Sequence, residues 1–82
     1  MSLDQPTETI RMNKYHFDDV YKIIDYSPSS YKIQRFDSKQ PNGVSTIYLP
    51  KSECNIEHYH NGMVILNIPL WLISKYQQFF KR

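Results

Sequence analysis

The chain has 82 residues, of which 40% are hydrophobic and 22% charged, with a formal net charge of +2. Those values fit one globular domain rather than a disordered chain, and they exclude a protein that holds DNA by charge alone. The single cysteine, Cys54, excludes an intrachain disulfide framework, and the longest apolar run, residues 63–73, is interrupted by Asn67 and Pro69 and too short to span a bilayer; the expectation is a cytoplasmic protein with no membrane partner.

Residues 1–9 are polar, contain a proline and show no period, so they read as a flexible arm preceding a single domain over residues 10–82. Residues 10–17 admit either a short edge strand or an irregular lead-in. Residues 20–26 and 31–36 are rich in β-branched and aromatic side chains, and the Ser27-Pro28-Ser29-Ser30 segment between them has turn chemistry, which makes a first hairpin. Along its second strand Tyr31, Ile33 and Arg35 share one face, and the pattern suggests a wet, tyrosine-bearing side. In the loop from Asp37 to Gly43, Pro41 is placed at the second position of a turn and Gly43 at its exit.

Residues 44–49 form a strand with both faces at least partly covered, and Pro50 ends it, because proline fixes φ and has no N–H for a ladder. After the Pro50-Lys51-Ser52 turn, a strand from Glu53 leads to Asn61-Gly62, a strong hairpin signal, since both central residues of the tight turn need positive φ. The nearly unbroken apolar run from Met63 to Ile68 reads as the central, most buried strand. Pro69 then starts a helix reaching about Phe80, with Leu72, Ile73, Tyr76, Phe79 and Phe80 on one stripe. The sum is an α+β domain: a small antiparallel sheet, or a partly closed barrel, of about five strands with one C-terminal helix.

No catalytic constellation stands out, and a non-enzymatic role is expected. Cys54, His58 and His60 fall on one side of a strand and offer zinc-type ligands, but a fourth ligand is missing and no metal or cofactor is expected. Cys54 lacks the helix N-terminus that would stabilise a thiolate, and with Gly43 and Gly62 alone the chain has no glycine-rich anion cradle. The most informative surface is the helix side opposite the stripe, where Trp71 lies among Lys75, Gln78 and Arg82. It reads as a stacking platform for nucleic acid, as a protein-contact anchor, or as a tryptophan folded back on Leu49 or Tyr48. Lys51, Tyr31 and Arg35 are candidate neighbours of that surface.

Two segments, Ile47-Tyr48-Leu49-Pro50-Lys51-Ser52-Glu53 and Ile68-Pro69-Leu70-Trp71-Leu72-Ile73-Ser74-Lys75, resemble a pattern in small phage and prophage proteins. There an aromatic-Leu-Pro-Lys-Ser strand end precedes a short hairpin and a Pro-x-Trp-Leu helix. The resemblance covers roughly the C-terminal half and departs at Tyr48, where that pattern has tryptophan. It implies a setting in phage DNA replication and recombination. Two roles follow as expectations: an accessory module binding nucleic acid or a replication complex, and a modulator or inhibitor of a host protein. Either role allows homo-oligomers.

Overall fold

Ile23, Ile33 and Ile47 stand directly opposite one another on three neighbouring strands, and this row decides which side of the sheet faces inward. The computed structural model describes residues 6–17 and 21–80. Its elements are β1 (Thr7–Asn13), β2 (Tyr21–Ser27), β3 (Ser30–Phe36), β4 (Val44–Pro50), β5 (Asn55–His58), β6 (Met63–Pro69), α1 (Leu70–Lys75) and α2 (Gln77–Phe80). All six strands lie in one sheet of order β4-β3-β2-β1-β6-β5. The α+β class is therefore as expected, but the sheet is open, with β4 and β5 at its edges, and does not close into a barrel.

The sheet consists of two antiparallel halves, β2-β3-β4 and β5-β6-β1. They meet where β1 and β2 run parallel with Asn13 opposite Lys22. A joint this short cannot hold two halves rigidly by its ladder, so the helices complete it. The first helix packs on β6 and β1, and the second reaches β4. One core results, in which Met12 of β1, Ile33 of β3, Leu49 of β4, Val64, Leu66 and Ile68 of β6, and Leu72 of α1 are all but fully buried.

Four expectations need correction. Residues 7–9, expected in the arm, belong to β1, which pairs antiparallel with β6 along its whole length from Thr7↔Pro69 to Asn13↔Met63. The apolar run of β6 demands neighbours on both sides, and β1 is the second one; this also moves β6 from the centre of the sheet to one strand from its edge. The helix is interrupted at Tyr76, whose ψ of 37° leaves the helical region, although its N–H still reaches the Leu72 carbonyl. The buried stripe of Leu72, Ile73, Phe79 and Phe80 holds across this break. Pro69 is the residue before the first turn rather than its first member, and the Leu70 N–H bonds to the Pro6 carbonyl at 3.0 Å.

The turns follow their chemistry. Gly43 donates to the Gln40 carbonyl at 3.0 Å with Pro41 at the second turn position, and Gly43 has φ +80°. In the β5–β6 connection Asn61 and Gly62 both have positive φ. Asn13, buried at the end of β1, ties that connection to the first lead-in. Its Oδ1 accepts from the Tyr15 and His16 N–H groups at 2.8 and 3.1 Å, and Lys14 donates to the Gly62 carbonyl at 2.8 Å. No helix among the described residues is long and apolar enough to cross a membrane.

Candidate functional site

Because the isoleucine row points inward, strand alternation sends the intervening side chains of β2, β3 and β4 to the opposite face. Ile24, Lys32 and Tyr48 form one cross-strand row, Lys22, Gln34 and Thr46 the next, and Phe36 with Val44 a third. Tyr26 joins the first row through an irregularity: the β2–β3 register shifts between Asp25 and Ser27. A bulge of this kind re-aims a side chain. Here it brings the Tyr26 ring to 4.9 Å from that of Tyr48, two strands away. β4, expected to have both faces at least partly covered, is covered unequally: Ile47 and Leu49 are buried, Val44 is half-buried, and Thr46 and Tyr48 are exposed.

No helix among the described residues covers this face, and from the β1–β2 connection Phe17 reaches its Phe36 end. Phe36 is 66% exposed, Tyr26 56% and Tyr48 45%. The Lys32 ammonium lies 5.1 Å from the Tyr26 ring centre and 6.0 Å from that of Tyr48. At the other end Phe17 packs on Phe36 with ring centres 4.2 Å apart, and the Lys22 ammonium lies 5.6 Å from the Phe17 ring. Between the clusters Gln34 Nε2 donates to Thr46 Oγ1 at 3.3 Å. The rows of Lys32 and Phe36 are four residues apart on one strand, about 13 Å. No acidic residue occupies any of these outward positions on β2, β3 or β4. The result is a sheet surface carrying two aromatic clusters, each with its own lysine.

The residues expected to bind a partner lie elsewhere, and the structure divides them: Arg35, Lys75 and Gln78 share one groove, while Trp71, and Tyr31 with Lys51, lie apart from it. Trp71 is half exposed, on the outer side of α1 next to the exposed Leu70, and Lys75 follows it one turn later. It is not folded back into the core. Lys75 and Gln78 line a broad polar groove beside β4, together with Arg35 and the Asp37–Asn42 loop. Tyr31 and Lys51 sit at the far end of the β2–β3 hairpin, where the Lys51 ammonium pairs with Asp25 and lies 5.1 Å from the Tyr31 ring. Trp71 lies in the first turn of α1, beside the beginning of β1, so the parallel, end-to-start joint of β1 and β2 puts these two groups at opposite ends of the sheet. Arg82 lies outside the described residues.

Arg35 is a correction. It was expected on a wet face and is 8% exposed, because it shares the inward side with Ile33. Its Nη1 donates to the Phe36 carbonyl at 2.9 Å, its guanidinium lies 5.6 Å from the Phe79 ring, and Nη2 is 3.8 Å from Asp37 Oδ2. Asp37 also accepts from Ser45 Oγ at 2.5 Å. Arg35 thus ties β3 to the loop and to α2. Opposite it, burial raises the Tyr21 phenol above its ordinary pKa, and the Arg35 charge partly offsets the effect.

Burial first, and the charge of Glu53 second, push the Cys54 thiol up to about 11. The neutral thiol packs against the core, and His58 and His60 are exposed. Among the described residues no three His, Cys, Asp or Glu side chains gather as a metal site. On the outer side of β5 the Tyr59 hydroxyl donates to Glu57 Oε1 at 2.7 Å, a bond that raises its pKa.

The exposed aromatic face left a signal in the sequence that the helix drew attention away from. Lys22-x-Ile24-x-Tyr26, Lys32-x-Gln34-x-Phe36 and Val44-x-Thr46-x-Tyr48 are period-2 sets without an acid, and each of the first two joins lysine to an aromatic. Comparison of the chain with protein-family profiles, with curated proteins and with solved structures gives no match.

Proposed function

We propose that the outward face of β2, β3 and β4 binds single-stranded nucleic acid, and that the protein is a non-enzymatic accessory module. The observation that carries this reading is the pairing of surface rings with ammonium groups on a sheet face whose outward positions on β2, β3 and β4 carry no acid. Every base has a π-face, so exposed rings take bases irrespective of sequence, and cations between them meet phosphates. Magnitudes favour the exchange. An exposed ammonium over a ring is held by about 0.5–1 kcal/mol, whereas a base stacked on an aromatic contributes about 1–3 kcal/mol. An incoming base therefore displaces Lys32 from Tyr26 and Tyr48, and Lys22 from Phe17, and each freed ammonium turns to the adjoining phosphate. The row of Gln34 and Thr46 between the clusters offers amide and hydroxyl groups to base edges or sugars. A duplex hides the π-faces of its bases and gains only the charge term.

The resemblance of residues 47–53 and 68–75 to small phage and prophage proteins suggests a replication or recombination setting for such a module. The test is the affinity for single- and double-stranded oligonucleotides at two salt concentrations. With two lysines neutralising phosphates, single-strand affinity falls by about sevenfold between 50 and 200 mM salt. Absence of single-strand binding at the lower salt sinks the reading.

A second reading, a protein partner seated on α1, is favoured by the adjacent exposed side chains Leu70 and Trp71. Tryptophan is among the residues that dominate protein interfaces. Retention of a host protein that Trp71→Ala abolishes, with oligonucleotide binding absent, supports this second reading.

A further inference from the structure

The register of the β3–β4 ladder fixes which backbone groups of the edge strand are unpaired. Asp37 donates to the Gly43 carbonyl at 2.8 Å and Lys51 to the Ser29 carbonyl at 2.9 Å, one bond beyond each end of the ladder. Bonded pairs alternate along an antiparallel ladder. Arg35↔Ser45, Ile33↔Ile47 and Tyr31↔Leu49 are therefore the bonded pairs, and the N–H and C=O groups of Val44, Thr46 and Tyr48 point away from β3. Val44 is already served, since its N–H donates to Asn42 Oδ1 at 3.2 Å. Pro50 has no N–H. Among the described residues, the free edge thus offers the N–H groups of Thr46 and Tyr48, closed off on one side by a side-chain cap and on the other by proline.

We propose that this edge pairs antiparallel with the same edge of a second copy of the chain, about a two-fold axis at Ile47. In that register Thr46 of each copy exchanges both backbone bonds with Tyr48 of the other, and both free N–H groups of each strand are used. The ladder then stops, because the next pair sets Val44 against Pro50, and neither has an N–H to give. Ile47 meets Ile47 across the axis, an apolar contact between side chains that share the core side of the sheet.

The other edge makes an instructive contrast. Tyr59 donates to the Met63 carbonyl, so by the same alternation Ile56 and His58 carry the outward groups of β5. Pairing β5 with itself about the residue between them sets Glu57 against Glu57, and like charges directly opposite destabilise a strand pair. In the register centred between the two outward residues, β4 sets Ile47 against Ile47 whereas β5 sets Glu57 against Glu57.

The dimer makes one continuous sheet with all helices on one side. Its other side carries both copies of the aromatic face, with Tyr48 of one beside Thr46 of the other, so that the exposed ring surface is doubled and uninterrupted. The pairing is tested without nucleic acid, so its failure leaves the proposed binding activity standing, and the reverse also holds.

Two variants in a Cys54→Ser background, Thr46→Cys and Tyr48→Cys, are purified separately and oxidised alone and as a mixture. Directly opposite bonded residues have Cα atoms about 5.5 Å apart, within the range that a disulfide bridges. The mixture is expected to give the crosslinked dimer, and each variant alone much less. Crosslinking by either variant alone in preference to the mixture overturns the register. In parallel, sedimentation equilibrium of the unmodified chain should show the average mass rising from one chain toward two with concentration. Thr46→Pro, which removes an outward N–H at an edge where proline is tolerated, should raise the dissociation constant by about tenfold or more. A chain that stays monomeric at the highest soluble concentration, or a dimer indifferent to Thr46→Pro and uncrosslinked in the mixture, refutes the proposal.

Discussion

Tyr26 and Tyr48 belong to strands that are not neighbours, yet their rings meet at 4.9 Å over β3. The β2 bulge delivers Tyr26 to this position, and Lys32, from the strand between, sets its ammonium over both rings. A cross-strand contact of this kind stabilises the sheet by up to about 1 kcal/mol. That is small against the cost of leaving such large rings in water, so the arrangement is better explained by what it presents than by what it holds together.

Two glycines separate backbone strain from steric exclusion. Gly43 and Gly62 both have φ +80°, but a Cβ on Gly43 meets nothing within 4 Å, whereas one on Gly62 falls 2.5 Å from Tyr15 Cδ2 and 3.3 Å from Asn13 Oδ1. Gly43→Ala is expected to cost about 1–2 kcal/mol, the left-handed penalty alone. Gly62→Ala should cost clearly more, since Tyr15 must leave its place beside the buried Asn13. Equal losses in denaturant unfolding would mean that Tyr15 packs there without consequence.

The Cys54 thiol predicts a pH dependence with a definite sign. Its ordinary value is 9.0 and the folded environment pushes it up to about 11. Well below pH 9 both folded and unfolded chains keep the proton, and the group gives stability no pH dependence. Between these values the unfolded chain releases a proton that the folded chain retains, so this group's contribution to stability falls as pH rises. Alkylation by iodoacetamide at pH 8 should accordingly be about ten- to a hundredfold slower in the folded chain than in denaturant. Equal rates would place the thiol in water.

Much of this fold was legible because each local signal agreed with the tertiary result. Pro50, Pro41 with Gly43, and Asn61 with Gly62 mark turns that exist, and the stripe of Leu72, Ile73, Phe79 and Phe80 is buried as its spacing required. What was not legible depended on partners distant in sequence. Ile10 and Met12 alternate too briefly to declare a strand, and β1 exists because β6 needs a second neighbour. Arg35 looked solvent-facing by residue type, but the face of β3 is settled by Ile33 pairing with Ile23 and Ile47, a fact of register rather than of composition. The same register hid the aromatic face: Tyr26, Phe36 and Tyr48 are ordinary strand residues until three strands are laid side by side. Helical projection did identify the exposed side of Trp71 and Lys75, which needs no partner to be read.

Trp71 reports on that side directly. Half exposed and outside the core, it should tolerate Trp71→Ala with a loss of less than about 1 kcal/mol, against about 3–5 kcal/mol for a buried tryptophan. As the sole tryptophan it should emit at long wavelength and be readily quenched by acrylamide. Blue-shifted, protected emission would place the indole in an apolar contact that α1 does not provide.

On the proposed reading the sheet face, and not the helix, binds single-stranded nucleic acid. The measurement is the affinity of a labelled single-stranded oligonucleotide for the unmodified chain, for Phe36→Ala/Tyr48→Ala, and for Trp71→Ala, with melting temperatures in parallel. Each ring removed from a stacking site costs about 1–3 kcal/mol, so the double variant should bind at least about thirtyfold more weakly, while Trp71→Ala binds as the unmodified chain does. A double variant that is folded and binds with unchanged affinity, or a loss confined to Trp71→Ala, would contradict the account.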